Sequence, residues 1–160
     1  MTELKVTLEH EGDQSLATVA RPLVSLSQLY YFLWLVDHGK RENWDAWLQG
    51  FREWIGEDGL KLKTFHYGSI CEATLEVKKE NESTARRLAE AAMKVVERLR
   101  DIGQKPEQQR REQISDQVVI QLLPEIDKVP NDLRSPVIGQ LRFTLFGLSR
   151  IKLMGFEIGE

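Results

Sequence analysis

Residues 60–78 read LKLKTFHYGSICEATLEVK, and this stretch decides the fold class. From Cys71 to Val77, small or apolar residues alternate with polar ones, which is the period of a half-buried strand. An earlier apolar pattern begins at Leu60, and Tyr67-Gly68-Ser69 supplies turn residues between the two patterns. The sequence therefore predicts adjacent strands over residues 60–67 and 70–78, joined by a tight turn or bulge.

The same periodicities predict the elements on either side of these strands. Leu4, Val6 and Leu8 alternate with polar neighbours and indicate a strand over residues 3–9. Apolar residues that recur every three or four positions predict helices, and a Ser or Asn stands at the start of the first three. These helices are expected over residues 25–38 (N-cap Ser25, after Pro22), 43–55 (N-cap Asn43), 83–103 (N-cap Ser83) and 106–123.

The C-terminal segment is open to two predictions. Ser135-Pro136 followed by apolar residues at helical spacing favours a helix over residues 136–148. Against this, residues 140–147 and 148–155 share Arg third, Leu sixth and Gly last, as the two strands of a hairpin would. We favour the helix, and we expect a last strand over residues 150–158 in either case.

Together these elements predict a single α+β domain over residues 1–160. We expect a small, mainly antiparallel sheet of about four strands, with four to five helices packed on one face. One covered face and one solvated face explain why the strand patterns alternate.

Composition narrows the class of protein. The chain has a formal net charge of −3 and a single cysteine, so an intrachain disulfide is excluded. No apolar run approaches the roughly 18 residues of a membrane span, and the first 20 residues lack the pattern of a signal peptide. We therefore expect a soluble, cytoplasmic protein without membrane contact.

Motifs for catalysis are missing from the sequence. It contains no glycine-rich phosphate loop, no GxSxG elbow and no HExxH pair. We expect no metal and no cofactor, and we lean against an enzyme. The alternative is a small-ligand or catalytic pocket that brings together Asp37, His66 and Cys71. A thiol becomes a nucleophile when an imidazole base lies beside it and a carboxylate orients that base.

Aromatic residues concentrate in one predicted helix. Three of the four tryptophans lie within residues 44–54, on a stripe that also holds Phe51. Such a stripe is either core or an exposed anchor for a partner, because Trp is enriched at interface hot spots. The residues predicted to bind a partner are Trp44, Trp47, Phe51 and Trp54.

Basic residues in the two central helices suggest a third function. Arg87, Lys94, Arg98 and Arg110 are the candidate contacts for a nucleic acid. Acidic residues interleave with them at spacings of three or four, which favours intrahelical ion pairs over phosphate binding. Nucleic-acid binding is thus the weakest of the three hypotheses.

Residues 60–112 resemble a module of uncharacterised bacterial proteins. In that module a Tyr-Gly-Ser-Pro segment follows a strand and leads into a helix, whereas Ile70 stands here in place of the proline. The resemblance implies a bacterial accessory domain and brings no activity with it. Our first hypothesis is a non-enzymatic protein–protein interaction or scaffold module with a capacity to form homo-oligomers, bound to a protein partner or to itself. Two surfaces motivate it: the Trp-rich helix 43–55, and the long charged helix pair 83–103 and 106–123.

Overall fold

The computed structural model describes residues 1–10, 16–49, 58–68, 70–102, 109, 119–148 and 151–159. Within them lie four strands and five α-helices, as the α+β prediction required. In chain order they are β1 (Thr2–His10), α1 (Leu16–His38), α2 (Arg41–Leu48), β2 (Lys61–His66), β3 (Ile70–Val77), α3 (Glu82–Ile102), α4 (Leu123–Ile126), α5 (Arg134–Phe146) and β4 (Ile151–Gly159).

The four strands form one antiparallel sheet in the order β2-β3-β1-β4. Alternate residues of β1 and β3 face the helices and are buried, and their register pairs Leu4 with Leu75 and Val6 with Ala73. The residues between them are polar and form the outer face of the sheet. This is the one-sided burial that the alternating sequence predicted.

Both edge strands contain a bulge. In β2 the register passes from Leu62 to Thr64, so Lys63 is the extra residue. In β4 it passes from Gly155 to Leu153, so Met154 is extra. The bulge in β2 places Leu62 and Phe65, three residues apart, on the same face of the sheet.

The bulged residue Lys63 also offsets a like-charge repulsion between two glutamates. Glu3 and Glu76 lie directly opposite each other on the outer face, and like charges at such positions destabilise a sheet. Lys63 forms an ion pair with Glu3, while Lys61 lies opposite Glu76. Hydrogen bonding and charge from Lys63 lower the pKa of Glu3, and Glu3 in turn raises the pKa of Lys63.

Helix α1 differs from its prediction at the start. It begins at Leu16, so Pro22 lies inside the helix and Ser25 is a buried mid-helix residue instead of the N-cap. A proline inside a helix removes one backbone hydrogen bond. Pro22 is itself buried.

Two other predicted caps are wrong. Helix α2 begins at Arg41, and Asn43 accepts a hydrogen bond from the Lys40 backbone N–H at 3.0 Å. Helix α3 begins at Glu82 after a 3₁₀ turn, so Ser83 is not its N-cap. The predicted helix over residues 106–123 lies mostly outside the described residues, as do residues 50–55 of the predicted second helix.

The C-terminal ambiguity is resolved in favour of the helix. Residues Arg134–Phe146 form α5, and β4 follows it, so the hairpin alternative is wrong. The buried side chains of α5 are Val137, Leu141, Thr144 and Leu145. Three of these are apolar and recur at helical spacing. Their burial on one face favours a helix over the hairpin that the similarity of residues 140–147 and 148–155 suggested.

Candidate interaction surfaces

The two described residues of the predicted tryptophan anchor are in the core. Trp44 and Trp47 are 2% and 1% exposed, and both rings lie 5.8 Å from the ring of Phe32 between centroids. Trp47 also donates from Nε1 to the backbone oxygen of Gln28 at 3.2 Å. An exposed strip is therefore not formed by these two residues. Phe51 and Trp54 lie outside the described residues.

The three residues of the predicted pocket have separate surroundings. Cys71 is buried on the helix-facing side of β3, and its Sγ lies 3.5 Å from the Gly68 oxygen. His66 is exposed and lies opposite Glu72 on the outer face. Asp37, at the end of α1, forms an ion pair with Arg87. The structure thus does not assemble these residues into a catalytic arrangement.

The residues predicted to contact a nucleic acid also lie in different surroundings. Arg87 lies between the carboxylates of Asp37 and Glu125, which links α1, α3 and α4 and neutralises the guanidinium. Lys94 and Arg98 are exposed on α3. Arg110 lies outside the described residues. The side chain of Arg87 is therefore occupied by protein carboxylates and is not presented to a phosphate.

A buried polar seam joins α1 to α5. The Thr144 hydroxyl lies 3.0 Å from Gln28 Oε1 and 3.0 Å from the Gln140 backbone oxygen, and its single hydrogen serves one of them at a time. At the end of α5, Gly147 approaches Ser25 so closely that an added Cβ would lie 2.0 Å from the serine Oγ. These contacts fix the two helices as antiparallel neighbours.

An exposed apolar patch lies beside this seam. Phe143 is 64% exposed and Val24 is 47% exposed, although each is next in sequence to a buried seam residue. The guanidinium of Arg21 lies 5.4 Å from the ring centroid of Phe146, which joins the two helices. Because residues three apart on a helix are neighbours, these contacts make one surface. We call it the α1–α5 patch, and it comprises Arg21, Val24, Phe143 and Phe146.

Two exposed cations lie in or beside this patch. Arg21 is part of it, and Arg142 is next to Phe143 in sequence. Among the described residues, Phe143 is the most exposed large hydrophobic residue. Sequence reasoning missed this surface, although Phe143 falls outside the apolar stripe formed by Ile138, Leu141 and Leu145, which was the available signal.

The part of the chain that the structure describes contains neither a metal site nor a membrane-spanning helix. No group of three or more His, Cys, Asp or Glu side chains in that part of the chain is placed to hold a metal ion. No helix there is long and apolar enough to cross a bilayer. Comparison with protein-family models, with curated proteins and with solved structures finds no match to this chain.

Proposed function

We propose that the chain is a non-enzymatic protein–protein interaction module that binds its partner on the α1–α5 patch. The observation that carries this proposal is the exposure of Phe143, 64%, on the surface that also contains the exposed Val24. An aromatic side chain buries roughly 150–250 Å² when it is covered, so leaving it in water is costly unless a partner covers it. Burial of Trp44 and Trp47 in the core moves the proposed contact from α2 to this patch.

The chemistry of the patch defines the class of partner. Arg21 offers a cation over an aromatic ring, and Arg142 adds a second exposed cation next to Phe143. A complementary partner presents an aliphatic or aromatic side chain with a carboxylate beside it. Apolar contact then supplies most of the affinity, while the charges set orientation and rate of association.

The other hypotheses receive less support from the side chains. A pocket at Asp37, His66 and Cys71 needs those groups to converge, and they lie in three separate surroundings. A nucleic-acid surface through Arg87 needs a free guanidinium, and that group is held by two carboxylates. The apolar character of the α1–α5 patch favours a protein partner over both.

The test uses a labelled soluble peptide in which leucines are flanked by glutamates. Fluorescence anisotropy should report binding to the wild-type chain, and Phe143→Ser should weaken it by about 30-fold, the loss of a hot-spot side chain worth about 2 kcal/mol. Ile120→Ser is the matched control, because Ile120 is 54% exposed and outside the patch.

A second peptide with lysines in place of the glutamates should bind at least about tenfold more weakly, since it meets Arg21 with like charge. The proposal fails if neither peptide binds, or if Phe143→Ser and Ile120→Ser have equal effects. Circular dichroism of each variant verifies that the fold is intact.

A further inference from the structure

A second exposed patch lies on the outer face of the sheet, at its turn end. Ile70 is 49% exposed and lies opposite Glu9 in the register of β1 and β3. Glu72 lies two residues farther along β3 and therefore on the same face as Ile70. We call Glu9, Ile70 and Glu72 the sheet corner.

The two carboxylate residues of the sheet corner have different register partners. Lys152 is the register partner of Glu9 on β4. The residues directly opposite Glu72 are Thr7 on β1 and His66 on β2, and neither is a Lys or Arg. The corner thus presents an aliphatic side chain next to a carboxylate, which is the partner chemistry that the α1–α5 patch requires.

We propose that the α1–α5 patch of one copy binds the sheet corner of a second copy, an inference that rests on the proposed function and names its partner. Charge complementarity supports it, since Arg21 and the neighbouring Arg142 are exposed cations on the patch side. The corner instead holds the carboxylates of Glu9 and Glu72, and neither register partner of Glu72 is a Lys or Arg. The patch and the corner each place an apolar side chain beside charged groups, so apolar contacts and ion pairs form together.

Geometry makes this contact intermolecular. The α1–α5 patch belongs to the helices, which cover one face of the sheet, while the sheet corner lies on the opposite face. One copy therefore does not satisfy its own patch with its own corner. After a first contact one copy keeps a free corner and the other keeps a free patch, so the contact is heterologous and extends into rings or open chains.

Sedimentation velocity over about a hundredfold range of concentration tests this arrangement on the full chain. The wild type should form species larger than a dimer as concentration rises. Phe143→Ser disables the patch and Ile70→Ser disables the corner. At the concentration where the wild type begins to associate, each variant alone should remain monomeric, because its association is weakened by about 10- to 30-fold.

An equimolar mixture of the two variants gives the decisive result. The intact corner of the Phe143→Ser chain meets the intact patch of the Ile70→Ser chain, so a heterodimer should form and nothing larger. A matched charge test uses Glu72→Lys and Arg21→Glu, each of which should weaken association, while the chain carrying both changes should recover it. Arg21 is exposed and Glu72 is half-buried on the outer face of the sheet, and a thermal melt of each variant verifies that the fold is intact.

The outcomes separate this inference from the proposed function. If the wild-type chain stays monomeric, or the variant mixture forms no heterodimer, self-docking is overturned. In that case continued binding of the acidic peptide, lost in Phe143→Ser, leaves the proposed function standing with a different partner. If the peptide also fails to bind, both are wrong.

Discussion

Replacing Gly147 by Ala tests how closely α1 and α5 pack, and thus what positions the α1–α5 patch. Gly147 has a φ of −64°, so the backbone itself accepts an L-residue. The obstacle is space, because the new Cβ would lie 2.0 Å from Ser25 Oγ and 3.2 Å from Ser25 Cβ. Ser25 is buried in mid-helix, so its hydroxyl has little room to turn away.

The magnitude follows from two opposing effects. Overpacking at such a contact costs roughly 1–3 kcal/mol, and a Gly-to-Ala change stabilises by about 0.4–1 kcal/mol through the unfolded chain. We expect a net loss of about 1–2 kcal/mol, which lowers Tm by about 2–8 °C in a chain of this length.

Calorimetry or urea unfolding monitored by circular dichroism measures this loss. The double variant Ser25→Ala/Gly147→Ala removes the hydroxyl that lies at 2.0 Å. It should regain most of the stability lost in Gly147→Ala, with a coupling of about 1 kcal/mol between the two sites. A Gly147→Ala chain as stable as the wild type, or equal losses in the single and double variants, would refute the close packing.

Three further predictions concern other parts of the fold. Trp47→Ala should lower the free energy of unfolding by about 3–5 kcal/mol because it empties a core site, and a loss below about 1 kcal/mol in urea titration would contradict the burial of that ring. Phe143→Ser should change the free energy of unfolding by less than about 0.5 kcal/mol, since its side chain is mostly in water, and a large drop in Tm would show a packing role instead. Lys63 lowers the pKa of Glu3, so their ion pair stabilises the folded chain at pH values above the ordinary carboxyl pKa. This stabilisation is lost as the pH falls through the lowered pKa of Glu3. Lys63→Ala should therefore return the pKa of Glu3 to its ordinary range in an NMR pH titration, and an unchanged value would disprove the ion pair.

Much of the fold is predictable from period alone. The strands at Leu4–Leu8 and Cys71–Val77 are confirmed. Their alternation of apolar and polar residues is visible in the local sequence, and it matches the buried and solvated faces of the sheet. The helix over Arg134–Phe146 is confirmed because its apolar stripe has a core to face. In both cases the local pattern and the tertiary contacts agree.

Other features depend on contacts that no local pattern contains. Pro22 signals a helix start, yet α1 begins at Leu16 and Pro22 is buried inside it, at the cost of one backbone hydrogen bond. The bulge at Lys63 arises from pairing between strands, so alternation could not place Leu62 and Phe65 on one face. Whether Trp47 is core or surface depends on Phe32, a residue of another helix.

The most direct test of the account is a dilution series of the ¹⁵N-labelled chain observed by two-dimensional NMR. If copies associate through the patch and the corner, amide shifts should move with concentration around Phe143 and around Ile70, and remain constant around Met93 and Ile120, which are also exposed. Phe143→Ser should abolish both sets of shifts together, because the two surfaces contact each other. Shifts that never change with concentration, or that move around Met93 or Ile120 instead, would contradict the account.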